Sequence, residues 1–231
     1  MDEKLIELVT QQVLAALGGE TKESTCCGAC NGSCSGKEEA EGIRIGVSVR
    51  HLHLCPEDFA ILFGPDAELE AMRDLYQEGE FAAKQQVALV GPKLRTIAPV
   101  RVLGPLRKQT QVEVSRTDAI TLGINPPVRP SGNLEGASLI TIVGPKGSVT
   151  KPVAIRANRH IHMNEADAKK FGVRDGELVS VEVQGERPLV FREVQVRVAP
   201  NFRLEMHLDT DDANAVGAIC GMQARIVKEA K

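Results

Sequence analysis

The sequence has no tryptophan, one tyrosine (Tyr76) and six phenylalanines in 231 residues. So few aromatic rings argue against the stacking platforms on which single-stranded nucleic acids lie. Positive charge is not in excess either. The formal net charge is −3, so no general basic field gathers a phosphate backbone, and no nucleic-acid partner is expected. There is no run of about 18 apolar residues, so no membrane-spanning helix is expected. The N-terminus opens acidic, with Asp2-Glu3, and Glu7, Thr10, Gln11 and Gln12 break its apolar stretch. That pattern is unlike a signal peptide. A reducing, cytosolic setting follows, in which the six cysteines do not form a disulfide framework. Histidine is scarce too, at five residues, and the placement of those five organises the chain.

Four of them fall in one short stretch that occurs twice. The first copy is Val49-Arg50-His51-Leu52-His53-Leu54 and the second is Asn158-Arg159-His160-Ile161-His162-Met163. An acidic helix start follows each, Pro56-Glu57-Asp58 and Asn164-Glu165-Ala166-Asp167. Alternating apolar and polar residues predict a strand at both places. On a strand, residues i and i+2 share a face, so each pair presents two imidazoles side by side. Two neutral imidazoles on one face are two ligands for a metal such as zinc. A lone His-x-His on a strand is commonly a plain surface pair. Duplication in a chain with so few other histidines favours ligands.

Before the first copy, residues 4–17 carry Leu5, Ile6, Val9, Val13, Ala16 and Leu17 at helical spacing, and Gly18-Gly19 ends the pattern. Residues 1–19 are thus an amphipathic helix, and 20–42 read as a flexible Cys/Gly/Ser-rich linker. A helix tethered this way either docks on the body or a sister subunit, or serves as an address for a partner's groove. Cys26, Cys27, Cys30 and Cys34 lie in the linker. They are either a reduced thiol run or ligands for zinc or an iron–sulfur centre. From Ile43 the chain turns to strands. A short helix is predicted from Pro56 to Phe63, and a second from about Asp66 to Gln77, with Leu69, Met72 and Leu75-Tyr76 on one side. Many short strands follow, punctuated by Gly91-Pro92, Gly104-Pro105, Pro126-Pro127 and Gly144-Pro145. That spacing suggests β-barrels rather than a doubly wound sheet.

The repeat runs further. Val112-Glu113-Val114-Ser115-Arg116-Thr117-Asp118-Ala119 aligns with Met206-His207-Leu208-Asp209-Thr210-Asp211-Asp212-Ala213, and Gly123 and Gly217 follow at the same offset. This puts Glu113 where the second copy has His207, so each repeat offers an His-x-His pair and a third ligand. Three protein ligands with an open fourth position describe a catalytic site rather than a closed structural one. Cys55 and Cys220 are expected to be small buried residues, because no cysteine nucleophile is required.

These motifs, together with Gly104-Pro105-Leu106-Arg107-Lys108-Gln109-Thr110-Gln111, Arg129-Pro130-Ser131-Gly132 and Leu204-Glu205-Met206-His207-Leu208-Asp209, resemble the phosphate propanoyltransferase family. These are the PduL-type phosphotransacylases associated with bacterial microcompartments. The resemblance spans about Ile43 to Ile226. It implies a mainly β fold of two barrels related by an internal repeat and capped by short helices. The repeats would be 43–152 and 153–227, with strand 43–49 swapped into the other barrel. It implies two zinc ions, one on His51, His53 and Glu113 and one on His160, His162 and His207, with Arg107 contacting phosphate and Ser131 near the metals. The reaction implied converts acyl-CoA (propanoyl-CoA or acetyl-CoA) and phosphate into acyl phosphate and CoA. The enzyme would work in the microcompartment lumen, as a homodimer or larger, with residues 1–19 addressing shell proteins. One departure is Val49, where the family usually has Asn, as Asn158 is in the second copy. Two rivals use the same residues: a zinc-dependent thioesterase or other hydrolase, and a non-catalytic cargo scaffold with structural zinc. Arg107 favours transfer over hydrolysis.

Overall fold

The computed structural model describes residues 42–227. The expected N-terminal helix, the linker and its four cysteines lie outside the described residues. Within 42–227 the chain is mainly β, with two closed six-stranded barrels and four short helices.

The first barrel closes through β2 (His51–His53), β4 (Phe81–Val90), β5 (Thr96–Gly104), β6 (Gln111–Glu113), β8 (Ser138–Val143) and β9 (Ser148–Ala157). Two further strands, β3 (Ala71–Asp74) and β7 (Val128–Arg129), extend its sheet. The second barrel contains β1 (Ile43–Ser48), β10 (His160–Met163), β11 (Leu178–Val183), β12 (Leu189–Val198), β13 (Glu205–Asp209) and β14 (Gln223–Val227). Thus β1 belongs to the second barrel, parallel to β13, and the chain crosses to the first barrel as it enters β2. The second crossing mirrors it. Strand β9 lies in the first barrel, parallel to β6, and runs unbroken to Ala157 before the chain enters β10. Each His pair therefore sits just after a crossover.

The pairing repeats as well. Strand β2 is antiparallel to β6 and parallel to β5, while β10 is antiparallel to β13 and parallel to β12. Alternation decides the faces. Leu52, Val112 and Val114 enter one apolar core, and Ile161, Met163, Met206 and Leu208 enter the other. The intervening residues His51, His53, Glu113, His160, His162 and His207 share the opposite faces.

Helix α1 (Pro56–Phe63) follows β2, α2 (Arg116–Leu122) follows β6, α3 (Glu165–Phe171) follows β10 and α4 (Thr210–Val216) follows β13. Ser115, Asn164 and Asp209 cap the last three by accepting from the amides of Asp118, Asp167 and Asp212. Gly123, Gly172 and Gly217 end them at φ of 72°, 66° and 70°, where a β-carbon would be strained. The arginine of each Arg-His-x-His is a buttress for these helices. Arg50 Nε donates to Asp118 Oδ1 at 2.7 Å, and Arg159 Nε lies 3.3 Å from Asp212 Oδ2.

Two expectations fail. Residues 66–77 are not a helix: they form a turn, an extended segment and the edge strand β3, paired with β4. The spacing of Leu69, Met72 and Leu75 mimics one helix face, yet Leu69 packs on the core while Met72 is half exposed. Pairing with β4 overrides the local pattern. Cys55 is buried, but Cys220 is exposed at the turn before β14, where its Sγ accepts from Val47 N at 3.4 Å.

Candidate metal centre

Register builds two triads. His51 faces Glu113 across β2–β6, and His160 faces His207 across β10–β13. The potential ligand atoms of His51, His53 and Glu113 lie within 4.8 Å of one another, as do those of His160, His162 and His207. The rings are packed: centroids are 5.2 Å apart for His51–His53, and 4.7 and 4.8 Å for His160–His162 and His160–His207. Phe202 stacks on His162 at 4.0 Å.

Main-chain carbonyls aim two of the rings. His51 Nδ1 lies 2.8 Å from Val49 O, and His160 Nδ1 lies 2.9 Å from Asn158 O. A ring that donates Nδ1–H this way turns the lone pair of Nε2 toward the site. The group doing this at residue 49 is the carbonyl, so Val in place of Asn leaves it intact. Asn158 uses its side-chain amide elsewhere, donating to Gln195 Oε1 at 2.8 Å.

The donor chemistry suits a cation such as zinc. His53, His160 and His162 are only 3, 8 and 9% exposed. Neither ring nitrogen of His162 has a hydrogen-bond partner, nor has Nδ1 of His53. Buried polar atoms without partners are costly, and a bound metal would satisfy them. Burial, with His160 and His207 nearby, pushes the His162 imidazole down to about 2. Burial and then His207 take His160 to about 3. Neutral rings are the form a metal needs. Burial would raise the Glu113 carboxyl, but His51, Ser131, His160 and Arg107 outweigh it and hold it below its ordinary range.

Arg107 and Ser131 meet at the same place. Gln111 Nε2 donates to Glu113 Oε1 at 2.6 Å and to Ser131 Oγ at 2.8 Å, and its Oε1 accepts from Gly132 N at 2.7 Å. Arg107 reaches Ser131 Oγ at 3.3 Å and Glu80 Oε1 at 3.1 Å. Its charge acts on His53 of one triad and His162 of the other. All eight residues singled out in the sequence therefore converge.

Sequence reasoning missed others. Arg197 stands beside His162 in the β10–β12 register. It is half-buried, and burial lowers its pKa. Among the described residues it has no carboxylate within ion-pair distance. The repeat could not reveal it, because the matching register of the first copy runs on to Leu103. Gln111 was visible only as a member of a motif, and Glu80 lies in none of the motifs. A concavity of about 450 Å³ lies elsewhere, around Phe171, Leu178 and Ile226, and holds none of these side chains.

Two barrels joined by exchanged strands, with duplicated triads and a convergent arginine, define a duplicated-barrel protein with two groups of side chains that could each hold a metal ion. The comparisons with known proteins narrow this. The family model for phosphate propanoyltransferase matches residues 44–219. A phosphate propanoyltransferase of Lachnoclostridium phytofermentans is 46% identical over 228 residues, covering 98% of this chain and 100% of the relative. One of Thermotoga maritima is 53% identical over 176 residues, covering 75% and 83%. One of Rhodopseudomonas palustris is 45% identical over 219 residues, covering 94% and 93%. The chain belongs to the phosphate propanoyltransferase family and is an acyltransferase.

Proposed function

We propose that this chain is a zinc-dependent phosphotransacylase. It interconverts an acyl-CoA, propanoyl-CoA or acetyl-CoA, plus phosphate with acyl phosphate plus CoA. It does so in the lumen of a bacterial microcompartment, where it recycles CoA. The observation that carries the reading is the convergence of Arg107 and Ser131 on the Gln111 bridge to Glu113, beside both triads.

The triads His51, His53, Glu113 and His160, His162, His207 would hold the two zinc ions. When bound, zinc would supply Lewis acidity for phosphate and a soft partner for the departing CoA sulfur. The protein's own groups do the positioning. Arg107 grips phosphate oxygens with its planar fork, and Arg197 offers a second cation from the other barrel. A phosphate oxygen so held attacks the thioester carbonyl carbon. The C–O bond forms, the C–S bond breaks and the sulfur leaves as thiolate. Ser131 and Gln111 fix the Glu113 carboxylate and the Arg107 fork, so little reorganisation accompanies the attack.

The N-terminal segment lies before the part matched by the family model, and its apolar stripe is the feature that supports a shell address. The test of the activity is CoA release from propanoyl-CoA and acetyl-CoA with and without phosphate, with metal analysis of the same preparation. Phosphate-dependent release, formation of acyl phosphate and close to two zinc ions per chain are expected. Release that ignores phosphate would establish a hydrolase instead.

A further inference from the structure

The first barrel carries a buried polar cluster outside the triads. Asp58, in the first turn of α1, is 1% exposed, and Thr110, just before β6, is 3% exposed. The Thr110 hydroxyl donates to Asp58 Oδ2 at 2.6 Å, and its oxygen accepts from Cys55 N at 3.1 Å. Lys151 of β9 closes the other side of the carboxylate, with Nζ 2.7 and 2.9 Å from its two oxygens. Burial would raise the Asp58 carboxyl, but Lys151, Thr110 and Cys55 outweigh it and hold it below its ordinary range. The hydroxyl therefore donates to an ionised acceptor, a stronger tie than one to a neutral group.

This cluster lies against the loop that carries Arg107. The loop is fastened to Leu54 and Cys55 at two points: Arg107 N donates to Leu54 O at 2.9 Å, and Thr110 accepts from Cys55 N. Thr110 directly precedes Gln111. Neighbouring side chains of an extended chain take opposite faces, so Thr110 turns inward to Asp58 while Gln111 turns to Glu113 and Ser131. The second copy lacks the cluster. Asp167 stands where Asp58 does, five residues after the second His of its pair, but Leu204 replaces Thr110 three residues before the third ligand. Register puts Gly42 where the first barrel has Lys151, since Val112 pairs with Ala154 and Met206 with Ile45. Asn201 stands where Arg107 does. Helix α3 of that copy is capped without the cluster, by Asn164, so a helix at this place does not require it. The cluster occurs in the copy whose loop presents a guanidinium.

We infer that Asp58 and Thr110 are positioning residues for phosphate: their hydrogen bond, backed by Lys151, fixes the loop that aims Arg107 and sets Gln111 at the start of β6. This rests on the phosphotransacylase reading above.

The experiment is a double-mutant cycle on the full, zinc-loaded chain, well below the thermal midpoint of every variant. Inorganic phosphate is the probe, with its Kd read by calorimetry and kcat/KM for phosphate from CoA release. Thr110→Val removes the hydroxyl and keeps the shape. It should weaken phosphate binding and lower kcat/KM roughly 5- to 30-fold, with zinc content and KM for propanoyl-CoA unchanged. Thr110→Ser keeps the hydroxyl and should recover most of the loss. With Arg107→Ala already in place, Thr110→Val should cost less than roughly 3-fold, because the group it aims is gone. Lys151→Met, at a half-exposed residue, should lose a smaller factor, roughly 2- to 5-fold, with the same dependence on Arg107. It keeps the inference testable if Thr110→Val does not fold. Losses of equal size with and without Arg107, or parent-like phosphate affinity in the folded variants, would overturn the positioning role and leave the phosphotransacylase reading standing. CoA release by the parent that ignores phosphate would overturn both.

Discussion

Replacing Arg107 by alanine tests the phosphate site most directly. Its amide donates to Leu54 O at 2.9 Å, which pins the loop just after the first His pair. That bond is main-chain, so the substitution leaves it in place. A guanidinium has five N–H donors, and two are engaged here, by Ser131 and Glu80. The rest can grip an oxyanion. The side chain is 35% exposed and already faces Glu80, so the lost contact is worth less than a fully buried one. A charge-assisted bidentate contact at such a site contributes about 2–3 kcal/mol to the transition state, or roughly 30- to 150-fold in kcat/KM for phosphate. Arg107→Lys should recover only part, because a point charge does not reproduce the fork. The assay is initial rate of CoA release against phosphate concentration for the parent and both variants, at matched zinc content and matched thermal midpoint. Equal kcat/KM in all three would remove Arg107 from the site, and the preference for transfer over hydrolysis would lose its main support.

Three further outcomes are expected. The zinc-free protein should lose stability in mild acid: His160 and His162 stay neutral in the fold to about pH 3 and 2, while the unfolded chain takes up those protons near pH 6.5. Stability therefore falls as pH drops through 6.5, by about 2–3 kcal/mol for the two rings together between pH 7.5 and 5.5 in urea titrations, and a flat profile would refute the burial argument. Asp118→Ala should cost about 2–3 kcal/mol, because it removes half of the capping box at Ser115 and leaves Arg50 unpaired; an unchanged thermal midpoint would count against this. Residues 1–20 fused to a soluble reporter should carry it into a co-expressed microcompartment, and Leu5→Glu with Val9→Glu should abolish that without altering turnover; a reporter that stays outside would refute the address.

The parts legible in the sequence were those governed by short periods and by duplication. Period two places Leu52 and Ile161 inward, which forces their flanking histidines onto the other face. The aligned second copy identified Glu113 as the counterpart of His207, a match that no local pattern supplies. Legibility failed where tertiary pairing overrode spacing, as in residues 66–77, and where a residue has no counterpart in the other copy. Arg197 is one such residue. Gln77 is another: it acts on Glu205 across 128 positions, and nothing near it in the chain signals that reach.

The exchanged strands explain why the site lies where it does. Each His pair follows a crossover, and its third ligand lies on the strand that pairs with the swapped partner: β6 with β9, and β13 with β1. A triad is thus fixed by segments from both halves of the sequence. Separating the barrels would disturb both triads, since β1 and β9 would have to leave the sheets that orient them. Duplication supplied two similar triads, and divergence at the paired positions Gln111 and Glu205 then made them electrically different. The first carries an anionic ligand, Glu113, with a neutral amide behind it. The second is made of three imidazoles, with the Glu205 carboxylate 3.3 Å from one of them, at His207 Nε2. Phosphate is negatively charged on arrival, and the thiolate becomes so only as the C–S bond breaks. A neutral set of rings leaves a bound cation more of its charge to meet an incoming anion than a set that contains a carboxylate. Arg197 stands next to the second triad, half-buried and, among the described residues, without a carboxylate at ion-pair distance, so under the proposed phosphotransacylase activity it would be a place for an anion to arrive.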